Sequence, residues 1–172
     1  VLDGDKTRNV SVSARVRLAA GQRSGGLVWR VQDAENYYLA RLDLDRQDIG
    51  LYRVTAGNRT RIEGEDDLEL DPGAWHTLRV EFAGDTFKVI WNGKEIFQVK
   101  DATFADAGKC GLWTKADSVT VFDDFKSGSA DKQTAAAKPY PLKYCIVTRD
   151  RLDDTLNVED VVGFVHEGQE FK

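Results

Sequence analysis

A two-residue period runs through most of this chain and leaves it few folds to choose from. In NVSVSARVRLA, residues 9–19, Val10, Val12, Ala14, Val16 and Leu18 share one side while Ser11, Ser13, Arg15 and Arg17 share the other. Successive side chains of a strand point to opposite faces, so this alternation predicts an antiparallel strand with one face in a core and the other in water. GLVWRV and NYYLARLDL follow, separated by the turn-like QDAE, and then DIGLYRV and NRTRIEG, joined through Ala56 and Gly57.

The clearest local signal is WHTLRVEFAGDTFKVIWNGKEIFQV, in which Gly84-Asp85 and Asn92-Gly93 separate apolar sets such as Leu78, Val80, Phe82 and Phe87, Val89, Trp91. Asn-Gly supplies the positive φ angles of a type I′ turn at little cost, which predicts a three-stranded meander. CGLWTK and SVTVFDDF add two further strands. From Val10 to Phe125 the chain therefore holds about ten short strands at roughly the 8–12-residue spacing of a sandwich. The expected fold is all-β: an antiparallel two-sheet jelly-roll sandwich with a small C-terminal appendage.

After Phe125 the pattern stops. KSGSADKQTAAAKP is small, polar and aperiodic, as a flexible linker is. The expected organisation is a sandwich over 1–126, a linker over 127–139 and a small C-terminal module over 140–172. VVGFVHEGQEF predicts a hairpin turned at Glu167-Gly168. A segment of this size cannot bury a core without a metal, a disulfide or a docking surface.

Composition removes several classes of function. A net charge of -5 argues against binding nucleic acid through its phosphates, which takes a clustered excess of Lys and Arg. No apolar run approaches the roughly 20 residues of a membrane-spanning helix. Cys110 and Cys145 are too few for a disulfide framework, and His76 and His166 share no metal-ligand spacing with them. The chain starts at Val1, has no methionine and shows no signal peptide, and so reads as a mature or trimmed fragment. No Ser-His-Asp order, phosphate loop or cofactor fingerprint is present.

The segments GGLVWRVQDAENYYLARLD, GNRTRI, WHTLRVEFAGDTFKVIWNGKEIF and GLWTKADSVTVFDDF, in this order, resemble a bacterial concanavalin A-like, laminin-G-like family known as 3-keto-disaccharide hydrolase-like or glycoside-hydrolase-like. The resemblance covers about residues 8 to 126. It rests on the D-x-x-N-Y-Y turn after a G-L-x-x-R strand, the W-H-x-L-R-V strand and G-L-W-T-K-A-D-S. It implies a lectin-like sandwich associated with carbohydrate and a periplasmic or extracellular location. A second stretch, YPLKYCIVTRDRL followed by VHEGQEF, resembles small metal-binding modules of the YHS or TRASH type. Cys145 takes the first cysteine position, and the later ligands would fall beyond Lys172, so the module reads as truncated.

Residues 25 to 45 carry the main candidate site. Tyr38, Ala40 and Leu42 share one face of a strand, and Tyr37, Leu39, Arg41 and Asp43 the other, with Arg30 opposite Trp29 on the strand before. Arg30, Tyr37 and Arg41 could hydrogen-bond a saccharide that stacks on an aromatic wall. The competing reading is a solvated arginine ladder paired with Asp43 and Asp33. Trp113 and Lys115 share strand parity, with Asp117 in the next turn, and form either a second ligand cluster or a core indole beside a snorkelling lysine. Trp29, Trp75 and Trp91 read as core.

Acidic residues offer less. Glu65, Asp67, Glu69 and Asp71 alternate like a glucanase strand but sit in a solvated loop ending in Pro-Gly. Asp43 and Asp45, like Asp123 and Asp124, read as turn or sheet-edge groups, and Asp123 or Asp124 could hold a structural calcium ion. His76 reads as structural. The leading expectation is a carbohydrate-binding or carbohydrate-associated domain. The alternatives are a hydrolase or lyase acting on 3-keto-disaccharides and a non-catalytic adhesion or scaffold module.

Overall fold

The computed structural model describes residues 10–21 and 23–128, together with the backbone of residues 164–166 and 169–171. Ten strands run in sequence: β1 (Val10–Gly21), β2 (Ser24–Val31), β3 (Tyr37–Asp43), β4 (Asp48–Thr55), β5 (Asn58–Glu65), β6 (His76–Ala83), β7 (Thr86–Trp91), β8 (Lys94–Lys100), β9 (Lys109–Thr114) and β10 (Ser118–Gly128). They form two five-stranded antiparallel sheets, in the orders β10-β1-β6-β7-β8 and β5-β4-β3-β2-β9. The sandwich read from the alternation is the fold observed. A separate pair, β11 (Phe164–His166) and β12 (Gln169–Phe171), is antiparallel with Phe164 opposite Phe171.

One apolar parity of each strand faces the other sheet. Val12, Ala14, Val16 and Leu18 of β1 and Leu78, Val80 and Phe82 of β6 meet Leu27 and Trp29 of β2, Tyr38, Ala40 and Leu42 of β3, and Ile49 and Leu51 of β4. Trp29, Tyr38 and Phe87 form the aromatic centre, with ring centroids 4.7 to 5.7 Å apart in stacked, edge and tilted arrangements. Such pairs add about 0.5–1.5 kcal/mol each beyond the area they bury.

The turns explain the register. Asn92 and Gly93 have φ of 48° and 84°, the type I′ turn expected of Asn-Gly, and Asn92 Oδ1 accepts from Thr77 N at 2.8 Å. Ala56 and Gly57, at 48° and 76°, build a turn of the same kind between β4 and β5 with alanine where a left-handed residue is needed.

Three features depart from the reading of the sequence. Against β9, Val28 pairs with Gly111 and Val31 with Lys109, so Trp29 and Arg30 together stand opposite Cys110. This β-bulge puts Arg30 at φ 48° and turns its side chain to the core side, next to Trp29 rather than opposite it. Gly108 lies against the bulge, where a Cβ would come within 2.4 Å of the Arg30 carbonyl carbon. Second, Trp75 lies outside the core clusters, with the guanidinium carbons of Arg15 and Arg17 4.7 and 5.0 Å from its ring centroid.

The third departure is the acidic loop. Glu65, Asp67, Glu69 and Asp71 are exposed, but Leu70 is buried and Leu68 packs on the core. Gln47 clasps the loop: its carbonyl accepts from Leu68 N at 2.8 Å, its Oε1 accepts from Leu70 N at 2.7 Å, and its Nε2 donates to Leu70 O at 3.2 Å. β10 extends through Gly128 and so takes the first two positions read as linker. Cys145 and the rest of the linker lie outside the described residues.

Candidate functional site

The side of β5-β4-β3-β2-β9 turned away from the core carries a second apolar cluster. Val28, Val31, Tyr37, Leu39, Tyr52, Val54 and Trp113 compose it, from the parity opposite to the core residues of each strand except at Val31, which the bulge at Trp29 and Arg30 brings to this side. Tyr52 spreads over Gly50, at which a Cβ would meet the tyrosine ring at 2.5 Å. The floor is closed: Leu39 is fully buried, and Tyr37 and Trp113 are each 7% exposed.

Charged groups sit beside this floor. Asp43 and Asp48 are direct cross-strand partners, and Arg41 Nη2 lies 3.1 Å from Asp43 and 3.4 Å from Asp48. All three are buried. Two carboxylates facing each other across a pair of strands repel, so Arg41 is what lets them share the site. Asp48 is also 3.7 Å from Arg61, which pairs with Asp66 at 2.7 Å. Arg41 and Arg59 both approach the Tyr52 ring, at 5.0 and 5.1 Å from its centroid. Burial raises the Tyr37 hydroxyl above its ordinary value, and the positive charge of Arg59 opposes that rise.

Of the residues singled out in the sequence, Tyr37, Arg41 and Trp113 meet on this face. Lys115 and Asp117 stand just beyond the end of β9, where Lys115 N donates to Ser24 O at 3.1 Å and Asp117 takes φ 68° in the turn closed by Ser118 N to Lys115 O. Arg30 is not with them. It is 2% exposed, lies 5.7 and 5.3 Å from the Phe82 and Phe87 rings, and donates to Phe104 O at 2.8 Å and to Gly84 O. Tyr52, Asp48, Arg59 and Arg61 were not singled out, although the alternation of DIGLYRV and the turn at Ala56-Gly57 place them on the same side.

Other chemistry-bearing groups lie apart from the face. His76 is buried, with Nε2 3.2 Å from Asp71 O and its ring against Trp91. Asp101 closes one end of the sandwich, accepting from the Tyr38 hydroxyl at 2.5 Å and from Thr103 N at 2.9 Å, and it pairs with Arg53 at 2.8 Å. Burial acts to raise the Asp101 carboxyl, but the Tyr38 and Thr103 hydrogen bonds and the Arg53 charge prevail and hold it below its ordinary value. Asp123 is 3.3 Å from Arg15. Among the described residues no group of three His, Cys, Asp or Glu side chains comes together to hold a metal ion.

Residues 1–126 match the model of the 3-keto-alpha-glucoside-1,2-lyase-like domain. The chain belongs to this family. No curated protein matches it. Among solved structures, the lyase-like domain resembles the carbohydrate-binding module CBM66 from Bacillus subtilis at 23% identity and a TM-score of 0.66, over 72% of this chain and 76% of that one. Chicken galectin 2 aligns at 13% identity and a TM-score of 0.54, over 69% and 89% of the two chains. A GH43 protein from Bacillus licheniformis aligns at 14% and 0.51, over 72% of this chain and 27% of the other. At these identities the likeness is one of fold: the two-sheet sandwich of galectins and related modules.

Proposed function

We propose that this lyase-like domain binds a saccharide against the outer face of β5-β4-β3-β2-β9. The observation that carries the reading is the pair of accessible arginines, Arg59 and Arg61, set over a closed aromatic floor of Tyr37, Tyr52 and Trp113 that the buried Arg41–Asp43–Asp48 group braces. An apolar wall with a few oriented polar groups suits a sugar ring, whose C–H faces are apolar and whose hydroxyls need directed partners. Arg59 is exposed at this face and Arg61 keeps 37% of its side chain exposed, so both are accessible as donors. Lys115 and Asp117 extend the site at the end of β9. Support also comes from the family and from the fold shared with a carbohydrate-binding module.

Calorimetry of the full chain against mono-, di- and 3-keto-disaccharides tests this. One sugar class is expected to give heat that a Tyr52→Ala, Arg59→Gln variant loses. No heat from any sugar at millimolar concentration would leave a scaffold or adhesion module instead.

A second reading, cleavage of 3-keto-disaccharides or related glycosides, is favoured by one observation beyond the family description: two carboxylates, Asp43 and Asp48, stand opposite each other on this face. Elimination next to a ketone begins with proton removal by a base within hydrogen-bond reach, a role open to a carboxylate. Loss of a 3-keto-disaccharide on incubation, stopped in an Asp43→Asn, Asp48→Asn variant, is the expected result. Turnover unchanged in that variant would end this reading.

A further inference from the structure

The opposite sheet carries a feature the saccharide face does not use. On β1, Arg15 and Arg17 project away from the core, and both guanidiniums lie within 5.0 Å of the Trp75 ring centroid. Trp75 is held in place by the turn before β6. Ala74 N donates to Asp71 O at 3.3 Å, Gly73 takes φ 73° after Pro72, and Gly73 N donates to Leu18 O at 3.2 Å. Pro followed by a left-handed Gly is the signature of a type II turn, and its tie to β1 fixes the indole against that strand.

The two arginines differ in their partners. Arg15 stands opposite Asp123 on β10 and pairs with it at 3.3 Å. Arg17 stands opposite Val121, and no carboxylate lies within ion-pair distance of it among the described residues. Its Nε is buried with no hydrogen-bond partner, while the side chain as a whole keeps some exposure. On the next strand Arg79 is matched by Glu81 at 2.7 Å. The cluster therefore holds one uncompensated guanidinium, oriented by an indole. Near it are Val119, 36% exposed, and the exposed Thr77.

We propose that Arg17 and Trp75 form a binding site for the carboxylate of an acidic saccharide, on the sheet opposite the face described above and independent of it. A guanidinium binds a carboxylate through two parallel N–H donors, and stacking on an indole orients that fork before the ligand arrives. A single free cation suits a ligand with one charge per ring. It does not suit a polyphosphate, whose closely spaced charges call for several clustered cations. Val119, Val121 and Thr77 offer a mixed apolar and hydroxyl surface to the rest of a sugar ring.

The test titrates the full chain with tetragalacturonate and with its methyl-esterified counterpart, following heat and the NMR signal of the Trp75 indole N–H. The acid is expected to bind, to shift that signal and to weaken with added salt, and the ester to bind at least tenfold more weakly. Arg17→Gln is expected to lose at least tenfold in affinity, and Tyr52→Ala to lose none. Equal binding of acid and ester, an unmoved Trp75 signal, or full affinity in Arg17→Gln would overturn the proposal. So would equally tight binding of an oligoglutamate, which would mark the site as one for acidic peptides. Arg17→Lys keeps the charge without the fork, and its partial loss separates bidentate recognition from misfolding.

Discussion

Trp29 and Arg30 are neighbours in a strand, yet both point into the same side of the sheet. The bulge opposite Cys110 makes this possible, and it places a cation among aromatic rings with two backbone carbonyls as acceptors. A left-handed backbone at a non-glycine residue costs about 1–2 kcal/mol, which these contacts offset. Arg30→Ala leaves the Phe104 and Gly84 carbonyls without this donor and is expected to lower stability by about 2–4 kcal/mol in urea unfolding. Arg30→Lys, with one ammonium in place of a fork, is expected to recover less than half of that. A loss within experimental error would show the cation to be dispensable.

Arg41 is the counterpart on the other side of the same sheet. Arg41→Met leaves Asp43 and Asp48 buried opposite one another, and the expected loss is about 3–5 kcal/mol at neutral pH. Adding Asp43→Asn and Asp48→Asn is expected to restore most of it. Additive effects in that cycle would mean the three groups do not act as a unit.

Asp101 sets the acid limit of one end of the sandwich. Its carboxyl is held below the ordinary value of 3.8, so its contribution is full above that value and is lost as the pH falls through the lowered one. Asp101→Asn is expected to flatten the fall of stability below about pH 4 seen in denaturant titrations. An unchanged acid slope would contradict the assignment.

Cys110 is expected to be inert in the native state. Burial, the largest influence, pushes its thiol up to about 11, and a thiol rather than a thiolate is a poor nucleophile. In a Cys145→Ser background, iodoacetamide at pH 8 is expected to label Cys110 only as fast as the domain opens, and rapidly in denaturant. From pH 9 upward the unfolded thiol ionises before the folded one, so stability declines until about 11, and Cys110→Val is expected to reduce that decline.

Ala56 occupies a left-handed position in the β4–β5 turn at φ 48°. Ala56→Gly removes the Cβ strain at the expense of some chain entropy, with a net gain of about 0.5–1 kcal/mol expected in thermal unfolding. A lower melting temperature would mean that the Ala56 side chain contributes more than its strain removes.

The sandwich was legible because alternation and turn chemistry agree: Leu78, Val80 and Phe82 face inward and Asn92-Gly93 turns the chain where the sequence requires it. The same rule misplaced Arg30, since a bulge adds one residue and reverses parity, and an arginine at positive φ carries no mark of its own as a glycine would. Apolar alternation in its segment marks Trp75 as core. It sits outside a strand, where parity assigns no face, and two arginines on β1 supply its contacts. On the candidate face, Tyr37, Arg41 and Trp113 were legible from their own strands. The partnership of Asp43 with Asp48, and the approach of Arg59 to Tyr52, depend on strand registers that span a turn, and each segment read alone does not reveal them.

The Gln47 clasp bears on how this domain tolerates change. It grips the acidic loop through the backbone of Leu68 and Leu70, and the buried leucine side chains do the rest. Nothing in that grip reads the identity of Asp67 or Glu69. Glu69 is therefore free to drift in sequence while the strands on either side keep their places, whereas Asp67, at φ 59°, is held to residues that tolerate a left-handed backbone.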